Sequence, residues 1–194
     1  MRWKFVALAV TALGGAVLAQ EASREAALGN LEAVLAELAE SFNDGLEAVD
    51  PAARERLTPT LAAWIAAFRD AAIERGAEGI PAEIREGLSG FVPANVLGSV
   101  RWRIDREASV AGQSLFQLGA VRAVTLDNVI LFADADEAAD ATLWAHELYH
   151  VMQYRQWGIE GFVARYLADH RAVEHEAGEF RWRWMKATGR APAA

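Results

Sequence analysis

The chain of 194 residues contains no cysteine, only 5 prolines and only 4 histidines. The absence of cysteine excludes disulfides, cysteine nucleophiles and thiolate metal ligands, so any metal would have to be bound by histidine and carboxylate side chains. Basic residues are also few beside acidic ones, 19 against 27, which gives a net charge of -8. A surface this acidic argues against nucleic acids and anionic membranes as partners.

No apolar run is long enough for a comfortable membrane span, but the N-terminus is typical of a secretory signal. Arg2 and Lys4 are followed by the short apolar run 5–17 and by the small-residue cleavage pattern 17–19. We therefore expect residues 1–19 to be a signal peptide that is removed on export to the periplasm or the cell exterior. No stable membrane span is expected after cleavage, and an uncleaved N-terminal anchor is the alternative.

Two of the four histidines fall in one motif, His146-Glu147-Leu148-Tyr149-His150, which has the pattern HExxH. On an α-helix, residues four apart lie one turn apart on the same face, so His146 and His150 can bind one Zn²⁺. Glu147 lies ~100° further round the helix, beside the ion, where it can take a proton from a water bound to the metal. The motif therefore predicts a zinc site with Glu147 as general base.

A catalytic zinc usually has three protein ligands and one water. The third histidine of one class of HExxH peptidases is missing, because Gln153 and Gln156 hold those positions. A carboxylate from a later helix is the alternative, and Glu174 is preferred because the small residues Ala177 and Gly178 share its helix face and allow close packing. The candidates that stay open are Glu176 first, and then Glu160, Asp169, Glu179, His170 and His175.

The part of the chain before residue 79 predicts helices and no titratable cluster. Residues 22–43 have the apolar spacing of an amphipathic helix. A second helix is expected to begin at Asp50-Pro51 or at Thr58-Pro59, since a capping residue followed by proline is typical of a helix start. We interpret residues 20–78 as an N-terminal helical region that serves as a scaffold or as a lid.

The middle of the chain predicts a small sheet. Ile80-Pro81 begins a short helix, and the alternation of apolar and basic residues over 100–104 predicts a strand. Two apolar runs, 123–126 and 129–132, flank Asp127-Asn128, which predicts a tight hairpin. The hairpin is either part of the core or an exposed edge that holds an extended peptide by strand addition.

The last part of the chain predicts three helices. The motif helix begins after Asp134 or Asp140, either of which can cap it, and ends at Gly158. Further helices are expected over 160–168 and 171–187. The sequence as a whole predicts a mainly α (α+β) fold with a small antiparallel β-hairpin or sheet and an N-terminal helical extension.

These residues resemble a bacterial family of zincin-like metallopeptidase domains found in proteins linked to extracellular contractile injection systems. The resemblance extends to the predicted short helix, strand and hairpin upstream of the motif and spans about residues 79–180. The residues that carry it most directly are 145–154, Gly158, Gly161-Phe162, Arg165-Tyr166-Leu167 and Glu174-His175-Glu176-Ala177.

The resemblance implies a minimal gluzincin, which is a zinc peptidase fold with HExxH and a later glutamate. It would make residues 79–187 a zincin-like metallopeptidase domain, with His146, His150 and Glu174 as zinc ligands. Glu147 would be the catalytic general base. These roles are what the resemblance implies for this chain.

The function expected is therefore that of an exported zinc-dependent metallopeptidase acting on a peptide or protein substrate. Candidates for the group that stabilises the oxyanion are Tyr154, Tyr166, His170 and His175. The alternative is a non-catalytic envelope protein, a binding module or scaffold, with a structural or vestigial zinc site. In that case His170 or His175 would supply a fourth protein ligand.

Overall fold

A computed structural model of the protein describes residues 51–105, 109–110, 113–114 and 122–190. The predicted signal peptide and the predicted helix over residues 22–43 lie outside the described residues. The described elements, in chain order, are α1 Pro51–Glu74, β1 Glu78–Gly79, α2 Ala82–Leu88, α3 Ala94–Ser99, β2 Arg101–Ile104, β3 Ser109–Val110, β4 Gln113–Ser114, β5 Ala123–Leu126, β6 Val129–Phe132, α4 Ala135–Ala139 and α5 Ala141–Thr188. The fold is mostly helical with a small sheet, which confirms the α+β prediction at that level.

The long helix α5 is broken at two residues with non-helical backbone angles. Gly158 has φ 71° and ψ 170°, a conformation that glycine adopts without steric cost. Asp169 has φ −159° and ψ 81°, and its carboxylate accepts a hydrogen bond of 3.0 Å from the Ala172 amide. The breaks divide the helix into segments that we name α5a (141–157), α5b (159–168) and α5c (170–188), so the three predicted helices are confirmed.

The main sheet has the strand order β1-β2-β6-β5. Strands β5 and β6 form the predicted antiparallel hairpin, and Asp127 in its turn has φ 57°. The prediction of an antiparallel sheet is wrong for one pair, because β2 runs parallel to β6 and makes the sheet mixed. Residue alternation does not encode strand direction, but the unbroken apolar run of β6, buried along its length, is typical of a central strand covered on both faces.

The two faces of the sheet pack on different helices. One face of the β5–β6 hairpin shares a hydrophobic core with α1 and α5b, while the other packs on α5a. Arg69 of α1 also forms an ion pair of 2.7 Å with Asp127 in the hairpin turn. Helix α1 therefore supports the sheet from the face opposite α5a, which favours the scaffold interpretation for residues 51–74. The first face comprises Val124, Leu126, Val129 and Leu131, and the second Ala123, Ile130 and Phe132.

Of the two predicted starts for this helix, the structure agrees with Asp50-Pro51, since the described helix α1 begins at Pro51 and runs through Thr58-Pro59. Proline lacks the N–H that would complete the helical ladder at this turn. The Thr58 hydroxyl donates a hydrogen bond of 2.7 Å to the Arg54 carbonyl on the turn before the proline. Among the described residues, no helix is both long and apolar enough to cross a membrane.

Both predicted caps before the motif are used. Asp134 caps α4, and Asp140 caps α5 by accepting hydrogen bonds from the Thr142 amide at 2.8 Å and the Leu143 amide at 3.4 Å. Its other oxygen forms an ion pair of 2.7 Å with Arg122. Burial raises the pKa of Asp140, but the hydrogen bonds from Thr142 and Arg122 outweigh burial and lower it below the ordinary value.

Replacing Asp140 with alanine should lower the free energy of unfolding by about 0.5–2 kcal/mol at neutral pH, because the cap is lost. Asp140→Asn should cost less, since asparagine caps about as well and only the ion pair with Arg122 is removed. Denaturant unfolding of both variants and the wild type measures these differences.

The pH dependence tests the same contact. Because folding lowers the pKa of Asp140, its ionised form stabilises the fold above the unfolded value of 3.8, and this stabilisation is lost as the pH falls through the lower folded value. The stability difference between wild type and Asp140→Asn should therefore shrink in acid. Asp136→Asn, at an exposed position of α4, is the control. A difference that persists unchanged in acid would contradict this account.

Candidate metal centre

The helix that carries the HExxH motif is fixed on the sheet by large buried side chains. Trp144 is fully buried, its ring lies 4.7 Å from the ring of Phe132, and its indole N–H donates a hydrogen bond of 2.7 Å to the Ala138 carbonyl. Ala145, Leu148 and Val151 are likewise fully buried. Because these residues occupy one side of α5a, the position of the motif side chains is set by the core.

Three predicted site residues lie together. The Nε2 atoms of His146 and His150 are 3.1 Å apart. The Glu174 carboxylate lies 3.2 Å from His146 Nε2 and 3.6 Å from His150 Nε2. One ligand atom from each residue lies within 4.8 Å of the others, so the group could hold a metal ion. Within the described residues, it is the one such group of three or more histidine and acidic side chains.

The breaks in α5 make this meeting possible. Along an unbroken helix, the 28 residues between His146 and Glu174 would span about 42 Å. The turns at Gly158 and Asp169 instead bring α5c back beside α5a. Ala177, one turn after Glu174, is fully buried, in agreement with the close packing that the sequence predicts at this small residue.

Glu147 lies beside the group and is nearly fully buried. Its Oε2 accepts a hydrogen bond of 2.6 Å from the hydroxyl of Thr125 in β5, which is itself fully buried. The charge of Glu147 contributes to raising the pKa of His150. A buried carboxylate therefore lies near the ligand group.

Two further polar side chains orient the ligand group. The Tyr166 hydroxyl donates a hydrogen bond of 3.1 Å to Glu174 Oε1. The Nδ1 atom of His150 lies 2.8 Å from Gln153 Oε1. In contrast, the buried Nδ1 atom of His146 has no hydrogen-bond partner among the described residues. Sequence reasoning did not identify Thr125 or Gln153 as site residues, and it considered Tyr166 only as an oxyanion donor.

The group is strongly polarised. Burial lowers the pKa of His150, but the charge and hydrogen bond of Glu174, together with the charge of Glu147, outweigh burial and raise it to about 9. Burial raises the pKa of Glu174, yet the two imidazoles hold it well below its usual range. The Glu174 carboxylate and the two imidazoles therefore attract one another strongly.

The other residues considered as ligands lie elsewhere. Glu176 is exposed and accepts a hydrogen bond of 2.9 Å from Gln153, so it does not meet the imidazoles. Asp169 caps α5c, and the ring of His170 lies 6.1 Å from that of Tyr166. The remaining candidates are all exposed, namely Glu160, His175 and Glu179.

A protein-family model described as the eCIS core domain matches residues 79–158. The match covers the sheet and α5a with its HExxH motif, and it supports the association with extracellular contractile injection systems expected from the sequence. Comparisons with curated proteins and with solved structures found no match. The matched range ends at the Gly158 break, before the segment that carries Glu174.

Glu174→Gln should lower the affinity for a divalent metal ion by at least ~100-fold, since changes to residues that merely orient a ligand already cost 10–100-fold. Competition with a chromogenic chelator measures the affinity of the folded protein. Glu179→Gln, at an exposed position on the same segment, is the matched control and should bind as the wild type does. An equally large loss in Glu176→Gln, with Glu174→Gln unaffected, would assign the carboxylate ligand to Glu176 instead.

Proposed function

We propose that this protein is an exported zinc-dependent metallopeptidase that hydrolyses peptide bonds of a peptide or protein substrate. The observation that carries the proposal is a group of two imidazoles and one carboxylate with a second, buried carboxylate beside it. The first three side chains are His146, His150 and Glu174, which would bind the metal. The fourth is Glu147, which would act on the substrate water.

The spacing of the group suits zinc. Ligands held at ~2.0–2.1 Å in a tetrahedron lie ~3.3 Å from one another. Two approaches are close to that spacing, 3.1 Å between the two Nε2 atoms and 3.2 Å between His146 Nε2 and Glu174 Oε2. The other carboxylate oxygen, Oε1, lies 3.6 Å from His150 Nε2. Imidazole nitrogen and carboxylate oxygen are also donors that zinc accepts in the absence of thiolates.

The number of ligands favours a catalytic site over a structural one. A structural zinc is closed by four protein ligands, whereas a catalytic zinc keeps one position for water or substrate. The group comprises three residues within the described part of the chain. The two histidines that could have closed it, His170 and His175, do not belong to it.

The chemistry divides between the metal and the protein. A bound zinc ion would supply the Lewis acidity that activates water near neutral pH and polarises the scissile carbonyl. Glu147 accepts the proton of the attacking water and passes it to the leaving amine. The hydrogen bond from Thr125 engages Glu147 Oε2 and so orients the carboxylate, with Oε1 as the oxygen that takes the proton.

Tyr166 is our candidate for the group that stabilises the oxyanion. Its hydroxyl, which donates to Glu174 Oε1, would have to turn from that carboxylate to the oxyanion, because a phenol has a single proton to donate. The hydroxyl of Tyr154 instead donates a hydrogen bond of 3.4 Å to the Thr125 carbonyl, and His175 is exposed.

Glu147→Gln should keep about one zinc ion per chain and lose cleavage of an unfolded protein such as casein by at least ~100-fold, because general acid–base catalysis contributes 10²–10⁴-fold. Metal analysis and a cleavage assay of the metal-replete protein give the two readouts. Glu160→Gln, exposed on the following segment, should leave both unchanged. Wild-type protein that holds no zinc after metal-replete purification would overturn the proposal, and zinc without cleavage would favour the scaffold alternative.

Export is supported by the signal-like residues 1–19 and by the similarity to a domain of extracellular contractile injection systems. Mass spectrometry of the protein from periplasmic or extracellular fractions should find Gln20 at the N-terminus. Arg2 and Lys4 should be absent from that mature form. Protein found only in the cytoplasm would contradict export, and exported protein that retains both residues would indicate an uncleaved anchor.

A further inference from the structure

Gln153 lies on α5a, three residues after His150, and is nearly fully buried. Its side chain makes three polar contacts. Oε1 lies 2.8 Å from His150 Nδ1, while Nε2 donates to the Val173 carbonyl at 3.2 Å and to the Glu176 carboxylate at 2.9 Å. A buried amide with both ends engaged is tightly held, because turning it would leave polar atoms without partners.

These contacts determine which way the amide faces. Flipping the amide would set its carbonyl oxygen against two acceptors, the Val173 carbonyl and the Glu176 carboxylate. The oxygen must therefore face His150, and the hydrogen bond requires a proton on Nδ1 of that imidazole. With Nδ1 protonated, Nε2 is the nitrogen whose lone pair can serve a metal, and it is the one that faces His146 and Glu174.

The same amide joins the two ligand-bearing segments. Val173 and Glu176 lie on α5c on either side of Glu174, so the amide N–H groups of Gln153 hold the stretch of chain that presents the carboxylate. Gln153 on α5a thus contacts His150 of the same segment and also the α5c backbone next to Glu174. The motif HExxH alone provides neither contact.

We infer that Gln153 is a positioning residue of the metal site, which fixes the tautomer and the ring of His150 and holds Glu174 opposite it, with Glu176 as its anchor. This inference rests on the metal site of the proposed function. Residues that orient metal-bound histidines through their second nitrogen typically change metal affinity by 10–100-fold when removed. Among the described residues, the Nδ1 atom of His146 has no equivalent contact, so His150 is the histidine that is oriented through its second nitrogen.

Gln153→Ala should weaken zinc binding by roughly 10–100-fold, as measured by chelator competition on the folded protein. Gln156→Ala is the matched control, since Gln156 is an exposed glutamine on the same segment and should bind zinc as the wild type does. Unfolding of the metal-free forms is measured in parallel, because a merely structural role would lower their stability without changing the zinc affinity of the folded protein.

Exchanging the two partners gives a rescue test. In the double variant Gln153→Glu with Glu176→Gln, the carboxylate still accepts from His150, and the new amide donates to it from α5c, but the hydrogen bond to the Val173 carbonyl is lost. This variant should therefore recover only part of the affinity that Gln153→Ala loses. Glu176→Ala, a change at an exposed position that should not prevent folding, removes only the anchor and should cost about 2- to 10-fold, the effect of one hydrogen bond.

The outcomes separate this inference from the proposed function. Wild-type protein that binds no zinc overturns both. Wild-type protein that binds zinc while Gln153→Ala binds it equally well overturns only the role of Gln153. If Gln153→Ala does not fold, Glu176→Ala decides, and unchanged zinc affinity in that folded variant would overturn the inference.

Discussion

The contact between the Glu174 carboxylate and the two imidazoles of the motif is the interaction on which the rest of the arrangement depends. Ionisable groups taken out of water need a partner of opposite charge. The imidazoles and the carboxylate meet this need for one another, because the pKa of His150 is raised to about 9 while that of Glu174 lies well below its usual range. The same atoms could hold a divalent cation, which would meet the need with a larger charge.

The contact exists only because the last helical stretch reverses direction. Gly158 adopts a positive φ that a side chain would strain, and Asp169 restarts the helix by capping it. The two ends of the reversed chain are then held together at several points. Ala177 packs without exposed surface, and Gln153 bonds to the chain on either side of Glu174. The turns create the proximity, and the buried contacts keep it.

Much of this could be predicted from the sequence, for identifiable reasons. Helical periodicity is local, so the shared face of His146 and His150 follows from their spacing. A glycine at position 158 likewise predicts that the motif helix ends there. The small residues after Glu174 pointed to the carboxylate that lies beside the two imidazoles, although only Ala177 is tightly packed, and a Cβ at Gly178 would meet nothing within 4 Å. The parallel pairing of β2 with β6 could not be predicted, since strand direction depends on the path of the chain.

The residues that orient the site were missed for a different reason. Thr125 and Gln153 each sit in a largely apolar stretch, and the partner that explains each one, Glu147 or the α5c backbone, is at least 20 residues away. The available signal was a polar side chain at a core-facing position, which must find a hydrogen-bond partner when buried.

Together with Tyr166, these residues hold Glu147, His150 and Glu174 from three different elements, β5, α5a and α5b. A site whose side chains are fixed from several directions loses little conformational entropy on binding an ion or a substrate, and this holds for either a catalytic or a purely structural metal. The buried carboxylate of Glu147 bears on the choice between the two. It would coordinate nothing at a structural zinc with four protein ligands, and the hydrogen bond from Thr125 holds it in one orientation, as the proposed proton transfer would need.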